Sequence, residues 1–388
     1  MHSKNMFYIL AISFFAYFIL GLPDGAFGIA LTTMMGDMNM LLELAAIITT
    51  VQLGLYTFVS SQMGYIAKRI KLQNIVFVGT VLATIGLFGV AAAPNFNVLV
   101  AMFAIVGIGL GLIDSSLNVY MSRSDSARYV TWMHALWGLG ASVTPAAMSQ
   151  IILHFGWRIG YNSIAVIYAF VAVLVLFSIF KKIWDASEPK QKIENFETKK
   201  NYLSKKRHQF MALVICLLQG GIEFSIIFWM PSIFLESRGL SIDTVGILTA
   251  AYFGFLTLGR FVAGYIASKA ANITIIRAGL ALAIAGSTVL MFTNSLVGVA
   301  LLGLGIAPIL PCIFHDTSNL FSPKIVTRLV GQEVASFGIG GAIIAPLVWQ
   351  IIGYFSLEMF FPIMLALFVS LTLLNETLEK VYNKNNQN

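Results

Sequence analysis

The amino-acid sequence predicts an all-α membrane protein with twelve transmembrane helices in two pseudo-symmetric six-helix halves. Three observations lead to this prediction. Of the 388 residues, 58% are hydrophobic and only 11% are charged, whereas a soluble globular chain carries about 25% charged residues. Apolar segments of the length that a spanning helix needs, about 20 residues, occur twelve times. Two sequence motifs of the first half also recur in the second half at one common spacing.

The twelve apolar segments are far longer than the roughly 10-residue alternating segments of an outer-membrane barrel, so we interpret each as an α-helix. The predicted spans lie near residues 7–31, 43–67, 74–93, 97–121, 127–153, 161–181, 208–235, 243–267, 272–293, 296–320, 328–353 and 358–379. The first segment is too long for the apolar region of a signal peptide. We therefore expect it to be retained as a helix.

The distribution of basic residues predicts the orientation of these helices. Of the 24 Lys and Arg residues, only Arg158 and Arg238 fall in the loops that follow the odd-numbered helices. The positive-inside rule then places both termini in the cytoplasm, with the protein in the inner or plasma membrane of the cell. Since the basic residues are spread over short loops, the net charge of +7 does not indicate nucleic-acid binding. The two cysteines lie within predicted spans and indicate no metal site or disulfide framework, and we expect no cofactor.

One long hydrophilic segment, residues 181–208, divides the helices six and six. It holds nine basic and four acidic residues, a composition typical of a flexible linker. We therefore predict an N-terminal six-helix half at 1–180, a cytoplasmic linker at 181–208 and a C-terminal six-helix half at 209–388.

The two halves share sequence motifs at an offset of 200 residues. "GYIAKR" at 64–69 recurs as "GYIASK" at 264–269, and "GLGASVTPAAMSQI" at 138–151 corresponds to "GIGGAIIAPLVWQI" at 338–351. Parallel repeats of this kind are typical of transporters whose substrate binds between two six-helix halves near the middle of the membrane.

Among the carboxylates within predicted spans, three are candidates for function, because an ionised group at bilayer depth costs roughly 2.5 to 3.5 kcal/mol on insertion scales. They are Asp24, Asp114 and Glu223. Burial disfavours the ionised form of such a group and contact with water favours it, so alternating exposure would let it bind and release a proton. We interpret the three as candidate residues for proton coupling and substrate binding. The alternative is a neutral, permanently hydrogen-bonded carboxyl group that only tightens helix packing.

Other polar and aromatic residues in the spans are candidates for substrate contact or gating. Gly107, Gly111 and Asn118 share the helix face of Asp114, and the glycines would let another backbone come close. Substrate-binding candidates are Asn118, His134, Trp137 and Gln219. Further aromatic candidates for stacking on a sugar are Tyr17, Trp229, Tyr252 and Trp349. Arg260 and Glu333 are predicted to form a gating ion pair near the cytoplasmic side, and His134 is a candidate partner of Asp114.

The helix count, the central linker and the Gly-plus-basic loop after the second helix resemble the major facilitator superfamily. "LPD", "GLGLIDSSLN", "GGIEF", "PILPCIF" and "GIGGAIIAP", in that order, further resemble the fucose–galactose–glucose:proton symporter group, the relatives of fucose permease. The resemblance implies the major facilitator fold and assigns the proton and sugar to Asp24 and Asp114. The sequence departs from the superfamily pattern at Lys68, where an acidic residue is usual. It departs from fucose permease at Asp114, where that protein has glutamate.

The sequence thus predicts a secondary active transporter, working by proton-coupled symport of a sugar or similar small polar solute through alternating access. The alternative is proton-driven efflux of drugs or amphiphilic compounds. No nucleophile–base arrangement and no nucleotide-binding loop is visible, so we predict neither an enzyme nor an ATP-driven pump. The expected partners are the solute, protons and the lipid bilayer, and we expect a monomer that binds no nucleic acid.

Overall fold

The structure is a computed structural model. It describes residues 2–39, 41–122, 127–184, 203, 206–267 and 269–387. Most of the predicted linker 181–208 lies outside these residues. The predicted boundaries of the two halves, 1–180 and 209–388, therefore stay predictions.

Fourteen α-helices account for nearly all of the described residues. They are α1 (His2–Met38), α2 (Leu42–Ser61), α3 (Met63–Ile66), α4 (Leu72–Ala92), α5 (Phe96–Ser122), α6 (Ala127–Phe155), α7 (Trp157–Phe180), α8 (Lys206–Ser232), α9 (Ile242–Ile266), α10 (Asn272–Phe292), α11 (Leu296–Ile306), α12 (Ile309–Leu320), α13 (Pro323–Tyr354) and α14 (Phe360–Gln387). A π-helical turn (Ile233–Ser237) extends α8, and a 3-10 turn (Leu357–Met359) precedes α14.

Within the described residues, twelve helical stretches are long and apolar enough to cross a membrane, which confirms the predicted spans. Two predicted spans are not single helices. The second is interrupted at Gln62, between α2 and α3, and the tenth is divided into α11 and α12 at Ala307 and Pro308. Proline lacks the N–H that an α-helix needs, and its ring clashes with the carbonyl group four residues earlier. Pro308 and Pro311 therefore explain the break in the tenth span.

The contacts divide the described residues into two compact units. The first contains those of 1–192 and 239–250, and the second those of 193–238 and 251–388. In the first unit α1 packs on α6, and α4 packs on α5 and α7; in the second, α8 packs on α13, and α10 packs on α11 and α14. The helix α4 begins and ends 200 residues before α10. The repeat seen in the sequence is therefore also a repeat of helix packing.

Two glycines at the offset of 200 make equivalent close contacts. A Cβ atom on Gly140 of α6 would overlap the carbonyl oxygen of Phe18 in α1, and a Cβ atom on Gly340 of α13 would overlap the carbonyl oxygen of Leu217 in α8. Only a residue without a side chain lets the two backbones of each pair approach so closely.

Alanine at Gly140 or Gly340 is therefore expected to destabilise the protein by about 1 to 3 kcal/mol, the usual cost of adding atoms to a packed interior. The matched control is Gly254→Ala in α9, where an added Cβ meets no atom within 4 Å. Alanine also favours helix over glycine, so this control should be neutral or stabilising. Thermal unfolding in detergent, followed by tryptophan fluorescence, measures the difference. Equal melting temperatures for Gly340→Ala and Gly254→Ala would contradict the packing argument.

Candidate functional site

Asp114 of α5 is held by the side chains of two other helices in the first unit. Its Oδ1 atom accepts a hydrogen bond from the hydroxyl group of Tyr17 in α1 at 2.6 Å, and its Oδ2 atom accepts one from Tyr56 in α2 at 2.6 Å. Tyr17 is 1% exposed, whereas Asp114 and Tyr56 are half-buried. The carboxyl group thus joins α1, α2 and α5 in the interior of the unit.

The predicted glycine face of α5 explains how Tyr56 reaches Asp114. A Cβ atom on Gly111 would lie 2.7 Å from the backbone oxygen of Tyr56, and one on Gly107 would overlap the backbone oxygen of Gln52. The α2 backbone therefore runs directly against α5 at this level. The expectation that these glycines admit a neighbouring backbone is confirmed.

A second layer of polar contacts links Asp114 to α6. Asn118, one turn along α5, donates from Nδ2 to Asp114 Oδ1 at 3.1 Å, and its Oδ1 lies 3.2 Å from Nε2 of His134. The His134 ring also packs edge-on against Tyr17, with ring centroids 5.2 Å apart. Here His134 contacts Asn118 and Tyr17, so it joins the Asp114 network through these neighbours.

Asp24 lies where a proline interrupts the hydrogen bonds of α1. Pro23 cannot donate to the carbonyl oxygen of Ile19, and that oxygen instead accepts a hydrogen bond from Tyr168 of α7 at 2.8 Å. The adjacent Asp24 is half-buried, and its Oδ2 atom accepts from the indole Nε1 of Trp137 in α6 at 2.9 Å. Asp24 and Trp137, which were both predicted to be site residues, are thus hydrogen-bonded to each other.

The second unit contains a buried ion pair. Arg260 of α9 donates from Nη2 to Oε1 of Glu223 in α8 at 2.9 Å, and their side chains are 21% and 5% exposed. Gln219 lies one turn before Glu223, and its Nε2 atom donates to the Oε2 atom of Glu223 at 3.4 Å. Among the described residues, the Gln219 Oε1 atom and the Tyr252 hydroxyl group are buried without a hydrogen-bond partner. Such atoms can still bind a polar ligand.

The predicted ion pair between Arg260 and Glu333 is wrong, because Arg260 pairs with a different glutamate. Arg260 pairs with Glu223, whereas the Oε1 atom of Glu333 in α13 is hydrogen-bonded to the Thr317 hydroxyl group at 2.6 Å. Both acidic residues were candidates, but their sequence positions do not show which one faces α9. A gating role for Arg260 and Glu333 stays a prediction.

Two aromatic candidates are core residues. The rings of Trp229 and Trp349 stack with their centroids 4.5 Å apart, both are 0% exposed, and the Trp229 indole donates to the Ala345 carbonyl oxygen at 2.8 Å. They stabilise the contact between α8 and α13.

Three basic residues at predicted helix ends, Arg123, Arg128 and Lys324, have side chains that lie outside the described residues.

Sequence reasoning missed Tyr56 and Thr317. Each carries a hydroxyl group that bonds directly to a carboxyl group within the predicted spans. The only signal in the sequence is that Tyr56 lies one helical turn after Gln52, on the same face of an apolar helix.

The sequence profile described as the Major Facilitator Superfamily matches residues 13–345. The chain belongs to this superfamily. This superfamily member is therefore a multi-pass membrane transporter and not an enzyme.

The chain is similar to two curated proteins along most of its length. It is 24% identical over 287 residues to a hexuronate transporter of Bacillus subtilis (strain 168), covering 70% of this chain and 68% of that protein. It is 22% identical over 410 aligned positions to "Bypass of stop codon protein 6" of Saccharomyces cerevisiae (strain ATCC 204508 / S288c), covering 96% of this chain and 82% of that protein.

Two solved structures resemble the whole chain. A D-xylose-proton symporter gives a TM-score of 0.75 at 15% identity and covers 96% of this chain and 97% of its own. A bacterial homologue of the human lysosomal transporter Spinster gives a TM-score of 0.76 at 11% identity and covers 98% of each chain. At such low identity the likeness shows the fold alone.

Proposed function

We propose that this superfamily member is a proton-coupled symporter of a sugar or a similar small polar solute, working by alternating access. The observation that carries the proposal is the Asp114 carboxyl group, which lies within a spanning helix and bonds to Tyr17, Tyr56 and Asn118. Ionisable residues within membrane spans usually mark pathways for protons, ions or substrates. Tyrosine hydroxyl groups can donate to an ionised carboxylate and accept from a protonated one, so this site can hold either form.

Asp24 is the second proposed proton-coupling residue of the first unit. Asp24 and Asp114 belong to the same unit, and each accepts a hydrogen bond from an aromatic side chain of another helix. Trp137, which holds Asp24, also offers an aromatic face on which the C–H groups of a sugar ring can stack. We assign proton coupling to Asp24 and Asp114, with Trp137, Asn118 and His134 as the contacts for solute.

In the second unit, Glu223 and Gln219 are the proposed contacts for the solute and the proton. The unpartnered Oε1 atom of Gln219 is a hydrogen-bond acceptor, which suits the hydroxyl group of a sugar. The names of a hexuronate transporter and a D-xylose-proton symporter among the similar proteins support a sugar-like solute. The resemblance to the fucose–galactose–glucose:proton symporter group supports it further, and that narrower membership stays a prediction.

The orientation and location of the transporter belong to the same proposal. The basic residues of the even-numbered loops favour a cell membrane with both termini in the cytoplasm. Protons moving inward down their gradient would then carry the solute into the cell.

The test is uptake of a panel of labelled sugars and polyols into proteoliposomes with an imposed inward proton gradient. We expect accumulation of a sugar that stops when the gradient is collapsed, and loss of that accumulation in Asp24→Asn. The control is Asp37→Asn: Asp37 also accepts from a tryptophan indole, Trp157 at 2.7 Å, but is exposed, and this variant should accumulate normally. Proton-driven export of dyes without uptake of any sugar would contradict the proposal and favour efflux.

A further inference from the structure

Glu333 of α13 is an acidic residue to which the proposed symport assigns neither the proton nor the solute. It is 0% exposed. Its Oε1 atom lies 2.6 Å from the hydroxyl oxygen of Thr317 in α12, and its Oε2 atom is buried without a hydrogen-bond partner among the described residues. The ion pairs recorded within the described chain do not include Glu333. A charge here would therefore be buried without a cation.

The hydrogen bonds of Thr317 indicate whether Glu333 is protonated or ionised. The Thr317 hydroxyl oxygen lies 2.6 Å from Glu333 Oε1 and 3.2 Å from the carbonyl oxygen of Ile313. A hydroxyl group has only one hydrogen to donate, so an ionised Glu333 and the Ile313 carbonyl group would compete for it. A protonated Glu333 donates to the Thr317 oxygen instead, and Thr317 then donates to Ile313. The neutral form satisfies both contacts and avoids an unpaired buried charge.

Thr317 also borders an open cleft of the second unit. The cleft is lined by residues of α8, α10, α12 and α14, most of them apolar, with Asp316, Asn375 and Glu379 as polar members beside Thr317. Asp316 accepts a hydrogen bond from Asn272 at 2.7 Å. Thr317 is 2% exposed, and a water molecule in the cleft would find these polar groups as partners beside it.

We propose that Glu333 is a proton-binding site that exchanges its proton with water in this cleft through the Thr317 hydroxyl group. When Glu333 is ionised, Thr317 gives its hydroxyl hydrogen to Oε1 and takes a proton from a hydronium ion in the cleft. One proton moves from that ion to Glu333, one water molecule is left, and Thr317 is unchanged. Release follows the same steps in reverse. The site goes beyond the proposed symport, because Asp24, Asp114 and Glu223 take no part in it.

The surrounding charges are compatible with this site. Helices α8, α12 and α14 pack against α13. Cys216 of α8 is a buried free thiol. Elsewhere on these elements, Glu223 is paired with Arg260, Asp316 and Glu379 line the cleft, and Arg328 lies near Gln209 at 3.4 Å. The nearby acidic residues of the cleft attract hydronium ions.

Infrared spectroscopy of the 388-residue protein in lipid vesicles at neutral pH tests whether Glu333 is protonated. The wild-type spectrum is expected to contain a C=O stretching band of a protonated carboxyl group that is lost in Glu333→Gln. Glutamine has nearly the shape of a neutral glutamic acid, so this variant should fold. The control is Glu376→Gln, which removes an accessible carboxylate paired with Arg277 at 2.5 Å and should leave the band intact. An unchanged band in Glu333→Gln would overturn the proposal.

A second comparison tests the route and leaves Glu333 in place. After transfer to heavy water, the band shifts as the carboxyl proton is replaced by deuterium. We expect this shift to be slower in Thr317→Val, which lacks the hydroxyl group, than in Thr317→Ser, which keeps it. Equal rates in the two variants would overturn the route through Thr317. Neither measurement requires transport, so a failure of the proposed symport would leave both results interpretable.

Discussion

Replacing Asp114 with asparagine is expected to abolish proton-driven accumulation of the solute, while exchange of labelled for unlabelled solute continues. Asparagine has nearly the size of aspartate and still offers an acceptor oxygen to Tyr17 or Tyr56, so the contacts between α1, α2 and α5 are largely kept. It cannot bind and release a proton, so the proton gradient can no longer drive uptake. Accumulation should fall to equilibrium with the external solution.

The measurement is uptake and counterflow in proteoliposomes that contain equal amounts of folded protein. The matched variant is Tyr56→Phe, which removes one hydrogen bond to Asp114 and keeps the carboxyl group. It should still accumulate solute, at a reduced rate. Normal accumulation by Asp114→Asn would show that Asp114 does not couple transport to protons, and that its hydrogen bonds only join the three helices.

Replacing Glu223 with glutamine is expected to destabilise the second unit by about 3 kcal/mol, near the lower end of the cost of breaking a buried ion pair. The variant leaves the charge of Arg260 inside the protein without this carboxylate. The lower value applies because the Arg260 side chain is 21% exposed. The double variant Glu223→Gln with Arg260→Gln removes both charges and should be more stable than Glu223→Gln alone.

Thermal unfolding of the four proteins of this double-mutant cycle measures the interaction between the two residues. Glu376→Gln is the control, because its pair with Arg277 is more exposed, with side chains 50% and 28% exposed for Arg277 and Glu376. Exposed pairs contribute at most about 1 kcal/mol. If Glu223→Gln and Glu376→Gln have the same effect, the Glu223–Arg260 pair does not stabilise the unit.

Much of the architecture could be predicted because the bilayer imposes simple rules on a sequence. A spanning segment must be long, apolar and helical, since its backbone hydrogen bonds have to be satisfied within the segment. These rules yield the twelve spans that the structure contains. The offset of 200 residues could be read in the same way, because Gly140 and Gly340 serve the same close helix contact.

Side-chain partners were harder to predict, and Arg260 shows why. Hydropathy identifies a charge within an apolar helix but does not show which way that helix is rotated in its bundle. Glu223 and Glu333 were both acidic residues in spans of the same half, and the packing of α9 against its neighbours decides that Arg260 meets Glu223. For the same reason the sequence did not identify Tyr56 as a partner of Asp114.

The sequence on its own determines that the chain is a twelve-helix protein of two repeated halves, and it locates Asp24, Asp114 and Glu223 at membrane depth. These properties follow from the composition and order of residues along each helix. Tertiary structure alone decides that Asp114 meets two tyrosines, that Asp24 meets Trp137 and that Glu333 meets Thr317. Hydrogen bonds act over about 3 Å, so a small rotation of a helix exchanges one partner for another without changing the hydropathy of any segment.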